Sequence, residues 1–338
     1  MRGRYLTPLV VLVLIVTLAL AVAVAGCGGD SSGNAAPEET ATTAAVSADQ
    51  IVKDSEAKMA AVESASFVAD MGLTIQGDAS QMSDPTAQAM LADGVTLHAE
   101  GASSNQPTAV DMKMNVSLGG QNLAFGMMSQ GDESWIEYQG TWYALDKKNA
   151  KTLDEQAQTG AAPTEQLKSL GIDPTTWGTS YELVDTTELN GVKVYHVKAS
   201  ADPQKLANSL MKAVEDPTLM KKLGGGSGDL AQIEQALKEN KKQAKELGKS
   251  LMNVSVDYWI GVDDMLMYKA QFSAALDTKG QKDMEGVEGM GLKATVSMSK
   301  FNEPVSVTPP KKAKSFDELM QQMFGAMMGS GSGGSTSL

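Results

Sequence analysis

Apolar and polar positions change rhythm several times along this chain, and each change marks an element. Residues 9–25 are almost wholly apolar, interrupted by Thr17. Residues 28–46 are rich in Gly, Ser, Ala, Thr and Glu and show no period, a composition that buries too little surface to order itself. Ile51, Ser55, Met59 and Val62 then recur at helical spacing and predict a helix over 48–62, with Ser47 and Gln50 spaced as a capping box ahead of it. From Ser66 the period drops to two: Phe67, Ala69, Met71, Leu73 and Ile75 alternate with residues that are mostly polar or small. The same alternation runs through 95–101 and, most cleanly, through 110–118, where Val110, Met112, Met114, Val116 and Leu118 share one side. Gly119-Gly120 predicts a hairpin into 122–129. Gln139-Gly140 predicts one between 134–138 and 141–145, and Asn190-Gly191 one between 181–189 and 192–199. Strands return over 254–260, 265–276 and 292–299.

The intervening segments read differently. Residues 77–94 suggest a loop with a short helical piece, and 146–180, with Pro163 and Pro174, a connecting segment of short helices. Pro203 opens a helix to about residue 215 with Leu206, Leu210, Met211 and Val214 on one face. The run from Gly224 to Gly228 lacks the Gly-Lys-Ser/Thr ending and the preceding strand of a phosphate cradle, so it reads as a linker. Leu230, Ile233, Leu237, Ala244, Leu247 and Leu251 predict a long helix over 229–251; its Lys238, Lys241, Lys242 and Lys245 interleave with Glu234, Glu239 and Glu246 as on a solvated face. Ser315 and Glu318 form a second capping box, ahead of Phe316, Leu319, Met320, Met323, Phe324 and Met327 on one helix side. Residues 329–338 are a Gly/Ser-rich tail expected to be disordered.

Composition narrows the function. The formal charge of −13 leaves no electrostatic footprint for nucleic acid or for anionic headgroups. Aromatics make up 5% of the chain against 21 methionines, so apolar surfaces must be lined by aliphatic and Met side chains, which adapt to irregular shapes. No nucleophile–base constellation can be assembled: there is no Gly-x-Ser-x-Gly elbow, and His98 and His196 lack a Cys, His or carboxylate at ligand spacing. The chain is therefore expected not to be an enzyme and to need no cofactor or metal. Asp263-Asp264 reads as a turn rather than a cation site.

The one cysteine, Cys27, stands where the apolar run ends, preceded by Ala25-Gly26, with Arg2 and Arg4 at the start. This layout of an export signal resembles the lipobox of bacterial lipoproteins. The resemblance implies a diacylglyceryl group on the Cys27 thiol, cleavage ahead of it, and acylation by chains such as palmitate. A buried free thiol or an uncleaved membrane helix is the plainer alternative. With Cys27 committed to lipid, neither a disulfide nor a thiolate metal site is available.

Four stretches resemble the LolA-like superfamily of lipoproteins of the LppX and LprG type. They are Gly131 to Tyr138 with Gly140-Thr141-Trp142-Tyr143; Leu189 to Tyr195; Tyr258 to Asp264 with Leu266 and Tyr268-Lys269; and Ser299 to Val305, closing at Pro309-Pro310. The likeness spans roughly 48–310. It implies an α+β fold: a strongly curved antiparallel half-barrel of about ten strands, covered on its concave side by helices around a cavity for acyl chains. One-sided apolar strands with few helices to cover them lead independently to the same shape.

The resulting organisation is a signal peptide at 1–26, the lipidated Cys27 and a flexible tether at 27–47, the half-barrel domain at 48–310, an amphipathic Met-rich helix at 311–328 and the tail at 329–338. Within the domain, residues 203–252 form a helical segment that is a candidate lid. The expected protein is a monomer held by Cys27 to the extracytoplasmic face of the cell membrane. It binds, and carries, a lipid or other long apolar molecule between sheet and helices. Met112, Met114, Met127, Met265, Met267 and Met323 are the candidate cavity lining. The alternative is a structural or sensory envelope lipoprotein that binds a protein partner through its concave sheet.

Overall fold

In the computed structural model, which describes residues 46–82, 85–105, 107–146, 174–214, 250–279 and 286–329, the alternating segments become strands of one large open sheet. In chain order these are β1 (Ser64–Gly77), β2 (Val95–Asn105), β3 (Thr108–Leu118), β4 (Gln121–Gln130), β5 (Glu133–Tyr138) and β6 (Thr141–Ala144). They continue as β7 (Ser180–Leu189), β8 (Val192–Ser200), β9 (Leu251–Gly261), β10 (Met267–Asp277), β11 (Val287–Ser299) and the short β12 (Lys314–Ser315). The α-helices among the described residues are α1 (Ala48–Met59), α2 (Pro85–Asp93), α3 (Pro203–Val214) and α4 (Phe316–Gly329). The expected signal peptide, Cys27, nearly all of the tether, most of the 146–180 connection, the 229–251 helix up to residue 249, and the tail from residue 330 lie outside the described residues.

The twelve strands follow the order β12-β6-β5-β4-β3-β2-β1-β11-β10-β9-β8-β7. Two meanders, β1–β6 and β7–β11, are thus joined along a β1–β11 seam that pairs Ser66 with Ser299 and Leu73 with Leu292. Neighbours are antiparallel, apart from β12, which runs parallel to β6. The three predicted two-residue turns form, and both central residues of each have positive φ: Gly119 and Gly120, Gln139 and Gly140, Asn190 and Gly191. That backbone twist matches the right-handed twist of the flanking strands.

Because directly opposed residues point to the same side, the register sorts the sheet into two faces. One carries Ala69, Leu73, Leu97, Ala99, Met112, Met114, Phe125, Met127, Ala270, Phe272, Leu292 and Val296. The other carries Asp70, His98, Lys113, Lys269, Gln271 and Lys293. Helices pack on the apolar face. Met59 of α1 and the adjoining Val62 join Ala65, Ala69, Ala99, Met267, Ala270, Val296 and Met298 in one cluster. Ile51 and Val52 pack with Val197 and Ile260 in a second. Leu206 and Ala207 of α3 pack with Leu73, Leu251, Val254, Leu276 and Met290 in a third.

Several expectations shift. Ser47 and Gln50 do not form a capping box: the Ser47 hydroxyl donates to Asp49 (2.8 Å) and the Gln50 amide to Asp54 (2.8 Å). Asp49, held also by Lys53 at 3.1 Å, is the stronger acceptor for that hydroxyl. The second box does form, with Glu318 N–H donating to Ser315 Oγ at 3.3 Å and Ser315 N–H to Glu318 Oε1 at 3.4 Å. α4 accordingly begins at Phe316, directly after the box, within the segment expected at 311–328. Leu251 opens β9 instead of closing a helix. Asn253 at φ 51° introduces an irregularity in β9, so Leu251 and Val254 both reach the core from three positions apart, which imitates helical spacing.

Candidate functional site: an apolar sheet face

The half of the apolar face on β2–β5 is built from cross-strand pairs. Met112 opposes Met127, Met114 opposes Phe125, and Val116 opposes Leu123. Met127 in turn opposes Ile136, and Phe125 opposes Tyr138. The Phe125 and Tyr138 rings meet at 5.5 Å, tilted by 36°. All of these side chains are half-buried, and Leu118 at the end of the row is 40% exposed. Their counterparts on the β1 and β11 strands, under α1 and α3, are buried: Leu73, Leu292, Val296 and Met298 are each exposed by 6% or less. Met114 joins the two halves by packing against the cluster that contains Ala99 and Met267.

Three of the six expected lining methionines, Met112, Met114 and Met127, therefore lie together on this surface. Met265 and Met267 belong to the other half. Met265 follows the Asp263-Asp264 turn with φ 58° and packs against the α1 cluster. Met267 is 9% exposed, and its backbone N–H donates to the Met59 sulfur at 3.3 Å. Met323 falls in α4 at a position outside the described side chains. Leu97, Val110, Leu123, Phe125 and Ile136 complete the surface and were not among the expected lining. Their period-two spacing was the available signal.

Polar groups frame the face from one side. Glu56 of α1 has its carboxyl pushed above the usual range by burial, partly offset by Lys53. Tyr181 is likewise raised, first by burial and then by Glu56, and Tyr258 is raised first by burial and then by Tyr181 and Glu56. Both histidines sit on the opposite face and find carboxylates across strands that sequence spacing did not show. His98 Nδ1 lies 2.7 Å from Asp70 Oδ1. His196 Nε2 lies 2.9 Å from Asp257 Oδ1, with its ring stacked on Trp259 at 4.6 Å. Among the described residues no group of three or more His, Cys, Asp or Glu is placed to hold a metal. Asp264 is a turn residue: its carboxylate accepts from Leu266 N–H (3.0 Å) and from the Tyr268 hydroxyl (2.7 Å).

Residues 47–172 match the model of a protein family of unknown function, DUF6612. No curated protein matches the sequence. The chain is similar to LppX-type lipoproteins. The crystal structure of the Mycobacterium tuberculosis lipoprotein LppX matches at 13% identity over 76% of this chain and 96% of that one, with a TM-score of 0.33. That of LprF from Mycobacterium bovis matches at 12% identity over 78% and 96%, with a TM-score of 0.35. MucB, solved in complex with MucA(peri), matches at 11% identity over 81% of this chain and 59% of that one, with a TM-score of 0.26.

Proposed function

We propose that this protein is anchored through a lipidated Cys27 to the extracytoplasmic face of the cell membrane, and that it binds and carries a lipid or other long apolar molecule without performing chemistry on it. The observation that supports the reading is the row Met112, Met114, Phe125, Met127 and Ile136: five large apolar side chains on one sheet face, all half-buried. A large sheet of twisted strands coils. We read this one as a half-barrel whose hollow side is the apolar face, with α1 and α3 over its β1 and β7–β11 part and the ligand over β2–β5.

Binding follows from desolvation. Each methylene moved from water onto this surface contributes about 0.8 kcal/mol, so a long acyl chain needs no specific polar contact. Three flexible Met side chains let the surface follow chains of different shape. Function without catalysis is the matching expectation.

A fatty acid bearing a photoreactive group at its methyl end tests the site. Irradiated with the full-length protein, it is expected to label β3, β4 and β5. The double variant Met112→Lys/Met127→Lys should cut labelling by roughly tenfold while the circular dichroism spectrum stays unchanged, because two cations must otherwise be desolvated under the chain. Labelling on the polar face, or labelling unaffected by the two lysines, contradicts the site. Capture of a protein instead of fatty acid by this face would replace the lipid reading.

A further inference from the structure

The two ends of the sheet differ. β6 is four residues long, and β12 lies along it, pairing Lys314 with Tyr143 and Ser315 with Ala144. α4 is fastened to the same end by the hydrogen bond from the Tyr143 hydroxyl to Gln322 Oε1 at 2.9 Å. β7, at the other end, is ten residues long and pairs in the sheet with β8. Each of its residues from Ser180 to Glu188 is exposed. Tyr181, Leu183 and Val184 are exposed by 41%, 40% and 46%, so large apolar side chains of β7 reach water even though α1 packs against the strand. A strand in this position offers a row of backbone N–H and C=O groups for pairing. The irregularity between Leu183 and Asp185 twists the strand without shortening it.

The register indicates what an added strand would meet. On the polar face, Asp257, Lys198 and Glu182 stand in a row across β9, β8 and β7. Trp259, His196 and Asp185 form a second row, with Asp185 Oδ1 3.7 Å from His196 Nδ1. Both rows end at β7 on a carboxylate. On the apolar face the rows Val256, Ala199, Tyr181 and Tyr258, Val197, Leu183 end on large apolar side chains. Glu188, opposite Lys193, adds a third carboxylate to the strand. A second copy of β7 does not suit this edge, since it would set carboxylates beside carboxylates, which is unfavourable between neighbouring strands.

We propose that β7 is a strand-addition site for an extended polypeptide in which Lys or Arg alternates with apolar residues. Main-chain hydrogen bonds to the edge of β7, which pairs with no further strand among the described residues, supply affinity, as in other β-augmentation complexes. The cations continue the alternating charge rows past Glu182 and Asp185, and the apolar residues extend the rows that end on Tyr181 and Leu183.

The test uses the full-length protein and two synthetic peptides, one alternating Lys with Val and one alternating Glu with Val. Hydrogen exchange is expected to slow in residues 180–189 when the Lys/Val peptide is added. Fluorescence anisotropy should show the Lys/Val peptide binding about fivefold or more tightly than the Glu/Val peptide, and a Glu182→Gln/Asp185→Asn variant losing about that factor. Binding by the unaltered protein should also weaken with added salt, a readout that stands even if the variant fails to fold. Unchanged exchange in β7, protection confined to β2–β5, equal binding of the two peptides, or salt-insensitive binding would each overturn the proposal.

Discussion

His98 and Asp70 face each other across β1 and β2 at 2.7 Å on the polar side of the sheet. The hydrogen bond to Asp70 raises the imidazole pKa above its ordinary value, with a smaller charge contribution from Asp70 and Glu100. A raised folded-state pKa means that the pair's contribution is complete below the unfolded value near 6.5 and is lost as pH rises through the folded value. The pair is exposed, so the effect on stability is small. In an NMR titration His98 should titrate above pH 6.5, and Asp70→Asn should bring it down. A second residue-scale prediction concerns Asp264. Its removal leaves Leu266 N–H and the Tyr268 hydroxyl without their acceptor, at a cost of about 1–3 kcal/mol in thermal or denaturant unfolding. The Tyr268 phenol, now pushed up to about 12 by burial and then by its bond to Asp264, should titrate lower in Asp264→Ala.

At the scale of elements, α4 is held by identifiable contacts: the Ser315–Glu318 box, the Tyr143–Gln322 hydrogen bond, and Leu319, which is 4% exposed. Ser315→Ala should weaken the helix by about 1 kcal/mol, and Leu319→Ala should weaken its docking by about 2–5 kcal/mol. Both should speed hydrogen exchange in residues 316–329 without changing exchange in β1 or β11. If β1 and β11 loosen equally, α4 and the sheet unfold as one unit. Much at this scale was legible in the sequence. Strict alternation at Val110–Leu118 and the three turn pairs sufficed to place β3 to β6, β7 and β8, because local backbone geometry decides them. What failed did so where a distant contact or a backbone irregularity decided. β12 exists because the chain after Pro310 returns to β6, and a two-residue pairing leaves no periodic trace. β11 begins at Val287, five positions before its predicted start, because Gly289 and Gly291, which have low strand propensity, flank Met290 there. The Asn253 irregularity made the first residues of β9 resemble a helix end.

For the whole molecule, the deciding feature is the β1–β11 seam, which puts the two meanders in one sheet and all the helix-packed clusters on one of its faces. No local pattern predicts a pairing between Ser66 and Ser299, so the sequence could supply one-sided strands but not the surface they make together. The lining methionines show the same division. Met112, Met114 and Met127 were recognisable from alternation and do meet, whereas Met265 and Met267 alternate equally well and lie in the part packed against α1. The proposed function combines the apolar face with an anchor at Cys27, since two acyl chains suffice to hold a protein stably at a membrane. Cys27→Ser should shift the protein from the membrane fraction to the soluble fraction or leave its first 26 residues uncut, as read by fractionation and intact mass. A variant still processed and membrane-bound would remove the anchor from the account. Native mass spectrometry of the full-length protein, extracted gently from its native cells, shows whether the face on β2–β5 holds an apolar ligand. A folded species is expected to carry one or a few lipid-sized adducts that organic solvent removes and that Met112→Lys/Met127→Lys diminishes; a folded, lipid-free species alone would rule such a ligand out.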